Sequence, residues 1–231
     1  MRSIVISFLF IGMLCSASGQ KTITTISLQL SFPQDEYRSA DPKTGVGGRW
    51  NILHRFKESG AISIGGEVGY MVTGSDARYF DIYYLGYYDR YRISASNNIV
   101  SLAFKARADL VPVDKPVLIF IDATIGTNLF FSSVDAERQT FFGGTQYSGG
   151  SSSKGYWAFV FGPGLGLEIP LDKGKEVALV LKGSYLFGSH TKYLTDPYFD
   201  NNGEVYFTQK ESKTNMIMAE AGVRFGLFNR R

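Results

Sequence analysis

The sequence predicts an all-β chain, an eight-stranded antiparallel up-and-down transmembrane β-barrel, and three observations predict it. Eight stretches alternate apolar and polar residues with a period of two. Eleven charges inside those stretches lie on the face opposite the large apolar side chains, and the connections alternate between long and short. Composition permits this: 44 % hydrophobic residues exclude a wholly disordered chain, and 26 glycines in 231 residues are far too few for collagen. The net charge of +3 is too small a bias to argue for a nucleic-acid partner.

Residues 1–20 read as a secretory signal peptide. Arg2 precedes an apolar run from Ile4 to Leu14, broken only by Ser7 and Gly12. Ser16, Ala17, Ser18 and Gly19 then offer a small-residue cleavage site, after Gly19 or after Gln20. Eleven helical residues rise about 16 Å, short of the ~30 Å hydrocarbon core, so a membrane anchor is the weaker reading. Cys15, the only cysteine, falls in this segment, and Leu14 before it is not the small residue that lipid attachment wants. Residues 21–231 are thus expected to form the barrel without disulfides. No later stretch has 18 consecutive apolar residues, which leaves a closed barrel as the way across a bilayer.

The candidate strands follow in order. Residues 22–32 alternate without a charge. In 44–56, Arg49 and Arg55 oppose Trp50 and Phe56, and in 61–73 Glu67 opposes Tyr70. In 95–110, Val100, Leu102, Phe104, Ala106 and Ala108 share one face, and Ser101, Ala103, Lys105, Arg107 and Asp109 the other. In 117–132, Asp122 opposes Phe131. The stretch 155–170 sets Trp157, Phe159, Phe161, Leu165, Leu167 and Ile169 against Ala158, Gly162, Gly164, Gly166 and Glu168. In 176–189, Lys182 opposes Tyr185. The last, 212–228, sets Ile217, Ala219, Ala221, Val223, Phe225 and Leu227 against Met218, Glu220, Gly222, Arg224 and Gly226. Each is long enough to cross a bilayer as a tilted strand.

A soluble barrel would alternate too, with its charges outside, and two features decide against it. The apolar face carries aromatics near strand ends, Trp50, Phe56, Tyr70, Phe131, Trp157, Tyr185 and Phe228, as interfacial girdles require. The opposite face is rich in Gly, Ala and Ser, which suits a crowded interior. Turning six bases and five acids toward lipid would cost on the order of 10–20 kcal/mol, comparable to the stability of a whole domain. The eleven are therefore expected to fill the lumen as ion pairs. The links near 33–43, 74–94, 133–154 and 190–211 are long, while Lys57–Gly60, Val111–Pro116 and Leu171–Lys175 are short. Short turns face the periplasm in such barrels, and an even strand count puts both termini there.

The sequence resembles the broad outer-membrane β-barrel domain family of Gram-negative bacteria, akin to the OmpA transmembrane domain, over nearly all of 21–231. Glu220, Gly222, Phe225 and Leu227 match that family's assembly signal, although Asn229, Arg230 and Arg231 displace the usual terminal aromatic. The resemblance implies an outer-membrane address, contact with outer-membrane lipid and lipopolysaccharide, and recognition by the insertion machinery. It leaves no room for a peptidoglycan-binding domain.

Eight strands enclose a bore just wide enough for side chains, so a plugged or very narrow lumen is expected. The leading expectation is a non-enzymatic barrel serving envelope structure or surface contact through its long loops. A narrow solute channel, an accessory barrel in secretion or assembly with a periplasmic partner, and a lipid A hydrolase stand behind it. The second long link carries Tyr79, Tyr83, Tyr84, Tyr87, Tyr88 and Tyr91, candidates for loop contact because tyrosine buries much area with few rotors. The alternative, which we favour, continues the flanking strands above the bilayer as a hairpin. Asn202-Gly203 predicts a second hairpin in the fourth link. His190 reads as a rim residue and His54 as a headgroup contact. Asp200–Glu204 lacks the remaining ligands of a calcium loop, and Gly162–Gly166 opens no helix, so neither metal nor cofactor is expected.

Overall fold

The computed structural model describes residues 21–56, 61–84, 87–111, 116–139, 145–152, 155–172, 174, 176–199 and 205–227. Eight strands close the barrel: β1 (Lys21–Pro33), β2 (Gly45–Arg55), β3 (Ile62–Tyr84), β4 (Tyr87–Asp109), β5 (Leu118–Gln139), β7 (Tyr156–Pro170), β8 (Val177–Gly188) and β11 (Met216–Leu227). Each pairs antiparallel with the next around the ring, and β11 returns to β1 from Thr22↔Leu227 to Pro33↔Met216. The full ring matters physically, because it leaves no unpaired strand edge facing lipid.

The two faces separate as the alternation demands. Trp157, Phe159, Phe161 and Leu165 of β7 point outward, while Ala158, Val160, Gly162, Gly164, Gly166 and Glu168 point in. The segment Gly162–Gly166 is thus strand, as its alternation suggested. Outward Leu28, Phe104, Ile125, Leu165 and Ile217 belong to an apolar belt around the wall. Near the loop end the belt gives way to polar groups. Tyr70 donates to Asn98 at 2.6 Å, and Ser96 and Ser133 join hydroxyls at 2.8 Å. One girdle assignment is corrected: Trp50 lies at mid-strand, opposite Ile26 and Val68, not near a strand end. Its indole N–H donates to the Thr24 hydroxyl at 2.8 Å, so the ring tolerates that height without a polar group left to lipid.

The long links are more regular than the sequence suggested. A helix, α1 (Asp35–Ala40), occupies the first, where no element was expected. Strands β3 and β4 remain paired up to Tyr84↔Tyr87, so the second is the hairpin continuation favoured above. Most of the third is also strand: β5 runs to Gln139 and pairs there with β6 (Thr145–Ser152). A four-stranded sheet, β3–β4–β5–β6, therefore stands above the barrel. The fourth link forms a hairpin of β9 (His190–Phe199) and β10 (Val205–Lys213), with Val205 opposite Phe199. Its Asn202-Gly203 turn, Asp200–Glu204, Phe228 and residues 1–20 lie outside the described residues.

Candidate functional site

The lumen is where the chemistry-bearing side chains converge. All eleven interior charges sit there, none more than 8 % exposed. They fall into two layers. In the upper layer Arg49 contacts Glu67 and Glu220, each at 3.0 Å. Lys105 pairs with Glu67 and stands 3.6 Å from Asp122. Lys182 lies 3.4 Å from Asp122 and 2.7 Å from Glu220. The result is a closed hexagon, Arg49–Glu67–Lys105–Asp122–Lys182–Glu220, in which signs alternate and every carboxylate lies between two cations. Six strands supply one member each. The other two supply Gln29, whose amide donates to backbone carbonyls of Gly48 and Tyr70, and Gly164, which makes room. A Cβ on Gly164 would lie 2.2 Å from the Asp122 carboxylate.

The lower layer, toward the short turns, is a chain. Arg55 pairs with Asp109, which accepts from Arg107 at 2.8 Å. Arg107 also pairs with Glu168, which stands 3.3 Å from Arg224. The Arg107 guanidinium lies over the Phe120 ring, 3.8 Å from its centroid.

Above the hexagon the lumen turns apolar. Met71, Ile99, Phe130, Leu186, Met216 and Met218 form a buried cluster, capped by Tyr37 of α1 and Tyr193 of β9. The Tyr37 ring meets Phe130 and Tyr193 edge-on, at 6.2 and 5.2 Å. Burial pushes the Tyr37 phenol well above its usual range, with Asp41 adding to the effect. The helix is tied to the rim: Asp35 accepts from Tyr185 and Asn215 at 3.0 Å each, and Lys210 donates to the Ala40 carbonyl at 2.5 Å. Asp35 has φ of 50°, a left-handed conformation that Asp tolerates better than most residues. Met218 on the polar face was a legible signal of this cap. Nothing local marked Tyr37 or Tyr193, which meet only through folding.

At the candidate contact residues, Tyr79 is 57 % exposed with the Arg90 guanidinium 5.8 Å from its ring centroid, and Tyr91 is half-buried. Tyr83 faces Tyr88 and Tyr84 faces Tyr87 in backbone register, their side chains lying outside the described ones. His190 begins β9, its Nδ1 3.2 Å from Glu211, and neighbouring Ser189 accepts from the Phe159 N–H. His54 is half-buried against Phe56, their rings 6.2 Å apart. Of the assembly-signal residues, Glu220 belongs to the hexagon and Phe225 faces outward. Gly222 abuts β1, where a Cβ would lie 2.4 Å from the Ile26 carbonyl, and Leu227 pairs with Thr22 in backbone register.

A closed ring, an apolar outer wall and an ionic lumen define the class: a transmembrane β-barrel of the outer-membrane type. No protein-family model matches the chain, and no curated protein matches it. Among solved structures, Neisserial surface protein A is similar at 13 % identity, covering 90 % of this chain and 97 % of its own, with a TM-score of 0.46. A major outer membrane protein from Thermus thermophilus is similar at 12 % identity, covering 89 % and 99 %, with a TM-score of 0.49. The N-terminal β-barrel domain of Pseudomonas aeruginosa OprF follows at 11 %, covering 91 % and 100 %, with a TM-score of 0.36.

Proposed function

We propose that this is a non-enzymatic barrel with a plugged lumen, serving envelope structure and surface contact through the sheet and hairpin above its wall. The observation that carries the reading is the succession of closures along one bore: a chain of ion pairs, a hexagon of ion pairs, and an apolar cap sealed by Tyr37. A solute would have to break all three. Planar-bilayer recordings of the refolded barrel should be electrically silent. A stable unit conductance would overturn the plug and favour a narrow solute channel.

In this reading residues 1–20 direct export and 21–231 form the barrel. The apolar belt meets outer-membrane lipid and lipopolysaccharide, and Glu220, Gly222, Phe225 and Leu227 serve as the signal read by the insertion machinery. Tyr79 and Tyr91, with Tyr83, Tyr84, Tyr87 and Tyr88 above them, supply the contact surface. Deacylation of lipid A by the purified protein, lost in His190→Ala, would refute the non-enzymatic part.

A further inference from the structure

Between the two ionic layers lies a cavity of about 20 Å³. Its volume suits one small species, since about 10–15 Å³ already holds a water. Three cations border it, Lys105, Arg107 and Lys182, against two carboxylates, Asp122 and Glu220. Arg107 has Asp109 and Glu168 as partners and the hexagon above is balanced, so the lumen's one surplus positive charge belongs to the lower layer at the cavity's edge, where three arginines, Arg55, Arg107 and Arg224, meet two carboxylates. Arginine cannot shed its proton to relieve such an excess, and an uncompensated buried charge is costly.

Two further groups sharpen the case. The Arg107 Nη2 is fully enclosed and meets no acceptor, although the side chain is only 4 % exposed. Asn51 borders the cavity with its amide oxygen likewise unpartnered, and turning that amide over presents an N–H donor instead. The hydroxyls of Thr25 and Ser27 complete the polar lining. One group opposes an anion: the second carboxylate oxygen of Asp122, which meets no donor.

We infer that this cavity is a binding site for one small monovalent anion of halide size, which balances the cations around it and joins the two layers. The test uses the full barrel refolded in detergent at fixed ionic strength, with chloride replacing gluconate. The urea midpoint should rise with chloride along a one-site saturation curve. Asn51→Asp places a fixed carboxylate at the cavity border, and its midpoint should become indifferent to chloride. Should that variant fail to fold, Thr25→Val removes one hydroxyl without altering charge and should shift the curve to higher chloride. Crystals grown in bromide should show an anomalous peak within hydrogen-bond reach of Arg107. A wild-type midpoint indifferent to chloride, an equal response in Asn51→Asp, or a water and no bromide in the cavity would each overturn the site.

Discussion

Arg107 shows what a buried charge means in this wall. It holds Asp109 at 2.8 Å and Glu168 besides, so its removal breaks the chain in the middle and leaves each buried carboxylate one arginine, Arg55 or Arg224, in place of two. Arg107→Ala should lower stability by about 3–5 kcal/mol. Arg224→Ala should follow it in direction. Arg90→Ala, which breaks the half-exposed pair with Asp81, should cost less than about 1 kcal/mol. Unfolding midpoints in detergent separate these cases, and equal midpoints would deny the network its structural role. Asp35 makes the complementary case at the surface. Hydrogen bonds from Asn215, then Tyr185, hold its carboxyl below the usual 3.8. A lowered folded-state value stabilises the anchored helix above the unfolded-state value and is lost as pH falls through the folded one. Proteolysis at α1 should therefore be flat from neutral pH down to about 4 and rise below it.

At the scale of elements, glycine decides where strands can approach. The β1–β11 seam closes the ring, and Gly222 sits on it with the Ile26 carbonyl and Ser27 side chain where a Cβ would go. Gly222→Ala should destabilise closure by about 1–3 kcal/mol. Heat-modifiable gel migration should then show less of the compact form, a defect present with pure lipid and hence separable from recognition by an assembly machine. Alternation made all eight spans legible, because each residue's face is set by its immediate neighbours. The strand ends were not. Gly74 to Tyr84 lacks a clean alternation and reads as loop, yet it is strand because β4 supplies a partner for every residue, past a bulge between Val72 and Gly74. Helix α1 was illegible for a similar reason. Six residues are too few to hold a helix in isolation, and this one is held by Tyr185, Asn215 and Lys210.

For the whole molecule, the closures act in series. Tyr37→Ala should loosen the apolar cap and speed exchange of amides around Phe130, yet leave the barrel electrically silent, because the hexagon below is untouched. Conductance in that single variant would locate the barrier at the cap alone. The outward wall and the inward charges also explain each other, since a bilayer penalises the opposite arrangement residue by residue.

The sequence by itself determined that this chain is a barrel, which side of each strand meets lipid, and that its eleven interior charges turn away from it. Those are properties of period and polarity, carried by neighbouring residues. Only the tertiary structure decided which charges meet. Arg49 finds Glu220 across 171 positions because the ring closes at one stagger, and no local pattern encodes that stagger. The same closure gathers Tyr37 and Tyr193 over Met71 and Met218, and so places the cap.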